Sequence, residues 1–247
     1  MSEELVLRER HGRVLVLTMN RPEKRNAFDN AMYRAMAGAL NEGQADAGVH
    51  VLVITGTGSA FCAGQDFTEM SAESGSDHGF PRLMEALSAC EKPILTAVNG
   101  VGVGLGLTML LHTDINYIST VARLRAPFVT LGVVPEAASS LLLPLAVGYQ
   151  KAAEILFTAR WIDAEESVAL GLTFAVVPPD QLLATTLAKA AEIAALPPAA
   201  ICHTKQLLKV WRRDAILAAR RREDEAFQER LGTPENVEAM NAFFAKR

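Results

Sequence analysis

Cysteine is scarce in this sequence: Cys62, Cys90 and Cys202 are the three in 247 residues, widely spaced and without a C-x-x-C pair. That excludes a disulfide framework and argues against a zinc site. The histidines, His11, His50, His78, His112 and His203, are scattered without ligand spacing, and no H-E-x-x-H occurs, so no metal is expected. Nucleotide signatures are missing too. There is no G-x-x-x-x-G-K-S/T, and the glycines between 100 and 106 alternate without making G-x-G-x-x-G. No G-x-S-x-G nucleophile elbow is found. Chemistry without a cofactor is favoured. The charge balance, 24 basic against 28 acidic side chains for a net −4, gives no reason to expect nucleic-acid binding.

A membrane span is equally absent. The charge-free stretch from Ile94 to Leu111 is interrupted by Asn99, Gly100, Gly102, Gly104 and Gly106. It reads as a buried strand, a glycine loop and a buried helix. No basic-then-apolar leader follows Met1-Ser2-Glu3-Glu4, so a cytoplasmic protein is expected.

What is present suits a large α/β domain. Half the residues are hydrophobic and 21% are charged. A chain of this length buries about three-quarters of its unfolded surface and needs no staple. Leu5–Leu7 and Val14–Met19 read as a hairpin across Arg10–Arg13. Val49–Thr55, Pro93–Val98 and Ile115–Ser119 read as buried strands, and Phe174–Val177 as a last short one. Helical spacing follows Asp29, and helices are expected over 80–90, 105–111, 135–145 with Pro135 at the first position, 151–158, and 164–170 capped by Asp163. Ser71–Asp77 reads as a polar loop. Residues 1–180 form the α/β core of this reading, and residues 181–247 a helical C-terminal region.

Two glycine-rich loops stand out: Phe61-Cys62-Ala63-Gly64-Gln65-Asp66 after a strand, and Asn99 to Gly106 before a helix. Glycine lets backbone N–H groups approach a ligand, and a helix N-terminus adds partial positive charge. Two such loops face to face would offer two donors to one carbonyl oxygen, the requirement for an oxyanion hole. Tight strand-to-helix packing explains the same glycines.

These loops, with Asn20-Arg21-Pro22-Glu23-Lys24-Arg25-Asn26-Ala27-Phe28 before them, Ala97-Val98-Asn99-Gly100 and Gly171-Leu172 with Val176-Val177 after, resemble the crotonase (enoyl-CoA hydratase/isomerase) superfamily. The resemblance runs from about Leu5 to Arg247. It implies an α/β spiral of repeated ββα turns, a helical C-terminal trimerisation region, and a homotrimer or hexamer. It implies an acyl-CoA thioester as substrate, coenzyme A being part of that substrate and no separate cofactor being needed. By position, the oxyanion donors are the N–H groups of Gln65 and Leu105. Lys24, Arg25, Ala27, Ala63, Asp66 and Phe67 match the coenzyme A-binding segments. Lys205, Lys209, Phe243 and Phe244 are candidates to reach a neighbouring subunit's site.

Hydratases of this superfamily use two glutamates, and the matching positions here are Thr108 and Phe128, which would line the acyl pocket instead. A carboxylate stands elsewhere. Val134-Pro135-Glu136-Ala137 resembles the stretch that carries the catalytic base of peroxisomal-type Δ3,Δ2-enoyl-CoA isomerases. The resemblance thus implies an isomerase with Glu136 as its base. A hydratase of low activity and a non-catalytic acyl-CoA-binding protein are the alternatives. Pro135-Glu136 also suits an ordinary first helical turn, where a glutamate favours the macrodipole. Arg220-Arg221-Arg222 followed by Glu223-Asp224-Glu225 reads as an exposed face laced with ion pairs, and His112 and His203 as structural.

Overall fold

The computed structural model describes residues 4–66 and 79–245. Phe67 and the expected Ser71–Asp77 loop lie outside the described residues. The chain opens on a hairpin, β1 (Val6–His11) and β2 (Val14–Met19), paired antiparallel with His11 opposite Val14. Gly12 takes φ 60°, which a two-residue turn requires. β1 therefore runs through Arg10 and His11, which the sequence pattern assigned to the connection. Helix α1 (Asn30–Ala45) follows, and the Asp29 side chain accepts the N–H of Met32 at its start, as expected of a cap.

Two strands and then a helix recur from there. β3 (Val51–Gly56) and β4 (Ala60–Cys62) precede α2 (Gly79–Ala89). β5 (Ile94–Val98) and β6 (Val101–Val103) precede α3 (Leu105–Thr108), which tightens into a 3-10 turn over Met109–His112. β7 (Ile115–Ser119) and β8 (Arg123–Arg125) precede a 3-10 turn at Phe128–Leu131 and helix α4 (Ser139–Val147). Then come α5 (Tyr149–Thr158), β9 (Ile162–Asp163), α6 (Ala164–Ala169) and β10 (Ala175–Val177). Asp163 caps α6 through the N–H of Glu166, as its sequence position suggested.

The first strand of each of these pairs enters a six-stranded sheet of order β1-β2-β3-β5-β7-β10, and the second enters a four-stranded sheet, β4-β6-β8-β9. This is the α/β spiral of ββα turns. The smaller sheet was not legible beforehand, because strands of two or three residues carry no usable periodicity. The middle of the large sheet is buried on both faces, which is why Val51–Ile54 of β3 is an unbroken apolar run. One face packs Leu17, Leu52 and Ile54 against Met32, Met36 and Leu40 of α1 and Leu83 and Leu87 of α2. The other packs Val14, Val16, Val51, Val53 and Leu95 against Ala190 and Ala194 of α7 (Leu182–Ala194).

Three helices complete the chain: α8 (Pro198–Val210), α9 (Arg213–Arg230) and α10 (Pro234–Phe244). α10 returns to the core, where Asn236 Nδ2 donates to Leu131 O at 2.6 Å. No helix among the described residues is long and apolar enough to cross a membrane.

Candidate active site

The two glycine loops meet. Gly64, at φ 91°, has its Cα edge so close to Val103 that a Cβ would lie 2.9 Å from the Val103 carbonyl oxygen. A Cβ on Gly106 would lie 2.3 Å from the carbonyl oxygen of Cys62. Only glycine permits this approach of the β4 loop to the start of α3. The β4 loop is held from the other side by a one-residue parallel bridge between Phe28 and Gln65. Phe28 N–H donates to Gly64 O, and Asp66 N–H donates to Phe28 O, each at 2.8 Å. Such a bridge uses the groups flanking Gln65 and turns the N–H of Gln65 itself to the opposite side of the strand. Leu105 opens α3, so its N–H has no partner within the helix. The close packing expected of these glycines is present.

Glu136 does not begin a helix. Residues 133–136 are extended loop, Ala137 and Ala138 take φ 61° and 57°, and α4 starts only at Ser139. The expected helix start at Pro135 is thus corrected by four residues, and with it the idea of Glu136 as a first-turn residue. Alanine in the left-handed region costs about 1–2 kcal/mol per residue, so the turn persists because its surroundings dictate it. Ser139 donates to Glu136 O from its N–H at 3.0 Å and from Oγ at 2.6 Å. His112 donates from Nε2 to Ala137 O at 2.7 Å. Glu223, on α9, accepts the N–H of Ala138 at 2.6 Å on one carboxylate oxygen and that of Ser140 at 2.8 Å on the other.

The Glu136 carboxyl takes no hydrogen bond among the described residues. Burial, then the negative charges of Glu223 and Asp224, push its pKa up to about 7. Tyr33 on α1 and Cys62 on β4 lie within electrostatic reach: burial raises each thiol or phenol pKa first, that of Cys62 to about 12, and Glu136 raises both further. Cys62, within electrostatic reach of Glu136, also packs against Gly106. Thr108 is fully buried with an unpartnered hydroxyl, and the Tyr33 hydroxyl is likewise buried without a partner among the described residues. Phe128 is buried one turn before the Glu136 loop, its carbonyl accepting the N–H of Val133 at 3.1 Å.

The remaining predicted residues fall around the Arg21 loop. Lys24 and Arg25 are exposed there, and Arg25 O accepts the N–H of Ala63 at 3.0 Å. Ala27 is buried, and its carbonyl accepts from Arg21 at 2.8 Å. Asp66 is turned inward, its carboxylate 3.0 Å from Arg21, which also pairs with Asp29 at 3.1 Å. Lys205 does not face outward toward a neighbour. It is buried, with Nζ 2.7 Å from both Lys92 O and Asp114 Oδ2. Lys209 likewise points inward, to the carbonyls of Leu87 and Ser88. Phe243 packs against the core.

Two residues of the site escaped sequence reasoning. His112 was read as merely structural, and Glu223 as part of a charged exposed face. Glu223 is in fact 5% exposed. Ile216, Ala219 and Glu223 are the buried residues of α9, and their spacing of three and four is the signal that would have turned Glu223 inward.

Comparison with known proteins places the chain in a family. Residues 9–247 match the family model described as enoyl-CoA hydratase/isomerase. The chain is 33% identical over 250 residues to the 2,3-dehydroadipyl-CoA hydratase of Escherichia coli (strain K12), covering 100% of this chain and 97% of that protein. It is 34% identical over 248 residues to a short-chain-enoyl-CoA hydratase of Clostridium acetobutylicum, covering 98% and 95%. The crystal structure of an enoyl-CoA hydratase/isomerase from Pseudoalteromonas atlantica T6c superposes with a TM-score of 0.94 at 41% identity, covering 98% of each chain. The protein belongs to the enoyl-CoA hydratase/isomerase family, with the crotonase fold, and is an acyl-CoA enzyme of that family.

Proposed function

We propose that this enzyme is a Δ3,Δ2-enoyl-CoA isomerase in which Glu136 is the single acid–base group. The observation that carries the reading is the Glu136 carboxyl itself: without a hydrogen-bond partner among the described residues, raised to about 7, and within electrostatic reach of Cys62 at the base of the first glycine loop. A base with that pKa both accepts and returns a proton near neutral pH. In the proposed reaction the thioester oxygen lies between the N–H groups of Gln65 and Leu105. Glu136 removes a proton from C2 of a 3-enoyl thioester, and the electron pair moves into a dienolate whose negative charge rests on that oxygen. The Glu136 carboxylic acid then delivers the proton to C4, leaving the double bond between C2 and C3. Thr108 and Phe128, which carry no carboxylate, line the acyl pocket in this reading. Lys24, Arg25, Ala27, Ala63 and Asp66 form the coenzyme A side in this reading, Ala63 and Asp66 largely through their backbone.

A hydratase is the second reading, and the hydratase names of the two relatives favour it. In that case Glu136 alone would activate water. A trimer or hexamer is proposed for the assembly, supported by Leu207, Leu208, Val210 and Trp211, which leave apolar surface exposed around the end of α8.

The test is incubation with a medium-length 3-enoyl-CoA, following ultraviolet absorbance of the conjugated 2-enoyl thioester, with Glu136→Gln alongside. The expected result is a rise that the variant slows by about 10²–10⁴. No rise from the 3-enoyl substrate, with loss of absorbance from a 2-enoyl substrate, would select the hydratase.

A further inference from the structure

We propose that Glu223 is a positioning residue for Glu136: its carboxylate fixes the left-handed Ala137–Ala138 turn that presents Glu136, and sets a second negative charge behind it. The inference rests on Glu136 as the reacting base.

The geometry is two-point. Both Glu223 oxygens accept backbone N–H groups on either side of Ser139, at 2.6 and 2.8 Å. A carboxylate can accept on both oxygens, whereas a carboxamide offers one acceptor and one donor. His112 Nε2 holds the preceding carbonyl, that of Ala137, from the 3-10 turn after α3. That turn follows directly on the helix whose first N–H is the proposed oxyanion donor. One end of α3 thus faces the thioester oxygen while the segment continuing from its other end steadies the base.

The titratable groups around Glu136 are Tyr33 from α1, Cys62 from β4, and Glu223 and Asp224 from α9, with His112 of the 3-10 turn bonded to the adjoining Ala137 carbonyl. Burial lowers the His112 pKa to about 4, so its ring is neutral near neutral pH. Burial raises the Tyr33 and Cys62 pKa values, which keeps both groups protonated. Glu223 and Asp224 are therefore the acidic neighbours whose negative charge disfavours an ionised Glu136, and burial raises the Glu223 carboxyl as well, against the lowering effect of its hydrogen bonds from Ser140 and Ala138. Arg220 moderates Asp224, whose carboxyl is raised first by burial.

The experiment titrates Glu136 directly, by NMR of the full-length protein labelled with ¹³C at glutamate carboxyls, the Glu136 signal being the one lost in Glu136→Gln. Glu223→Gln is expected to lower the Glu136 midpoint by about one pH unit and to reduce kcat about tenfold at the pH plateau. Asp224→Asn, which leaves the turn untouched, is expected to lower the midpoint by less and to keep the plateau rate. A folded Glu223→Gln protein whose Glu136 titrates as in the wild type would overturn the proposal. So would a loss of kcat that merely tracks loss of folded protein at every pH. The titration needs no substrate, so it separates this inference from the isomerase reading, which fails instead if Glu136→Gln retains the wild-type rate.

Discussion

Gly64 and Gly104 stand face to face, with the Cα of Gly64 3.9 Å from where a Cβ on Gly104 would lie. Both have positive φ, 91° and 55°. Each precedes one proposed donor, Gln65 or Leu105, so their approach brings together the two loops that carry them.

Leu105→Pro removes one of these donors where proline does least harm. The first helical position needs no intrahelical N–H and suits the fixed φ of proline. Turnover is expected to fall about 10²–10³, beyond any loss of folded protein, because Leu105 is also a core residue and its replacement lowers the thermal midpoint as well. Steady-state rates and a melting curve on the same preparation check it.

The pH profile follows from the state of Glu136. A base must be ionised, and its pKa stands at about 7. kcat/KM is expected to rise with pH through a limb centred near 7 and to lose that limb in Glu136→Gln. A limb near the ordinary glutamate value would show that burial does not act as described.

Stability moves the other way. The folded-state pKa of Glu136 lies above its unfolded value, so the folded chain binds the proton more tightly. Its contribution is intact below about pH 4.5 and is lost as pH rises through 7. Glu136→Gln is therefore expected to be more stable than the wild type at pH 8, by on the order of 2–3 kcal/mol, with the difference vanishing near pH 4. Urea unfolding at the two pH values measures it.

Gly106→Ala places a Cβ 2.3 Å from the Cys62 carbonyl oxygen, a backbone atom that cannot swing away. A loss of about 2–4 kcal/mol is expected in urea unfolding. Activity should fall beyond what unfolding explains, because the β4 loop must shift.

Tyr33→Phe removes a buried hydroxyl that has no partner among the described residues while keeping the ring contacts to Phe28 and Phe80. A gain of about 1 kcal/mol is expected, seen as a higher urea midpoint. A loss of similar size would mean that the hydroxyl is satisfied in solution.

Much of the fold was legible in the residues. The five longer strands of the large sheet, the caps at Asp29 and Asp163 and the helical C-terminal region all announce themselves by periodicity or side-chain chemistry. The glycine loops could be picked out because a run such as Gly100 to Gly106 is costly anywhere it is not needed. The helix at 135–145 was misplaced for a physical reason. Proline at a first turn is a local preference, and the hydrogen bonds from Glu223, His112 and Ser139 outweigh it.

The sequence by itself determined which chemical groups are available: one carboxylate at 136, none at 108 or 128, and glycines where two backbones must touch. Tertiary structure alone decided what those groups become. It turned Pro135 and Glu136 out of the helix. It buried Glu223 against a turn 85 residues away in the chain, and raised the Glu136 pKa by removing water and adding like charge. Burial and charge proximity are properties of neighbours in space, and no local pattern of residues encodes them.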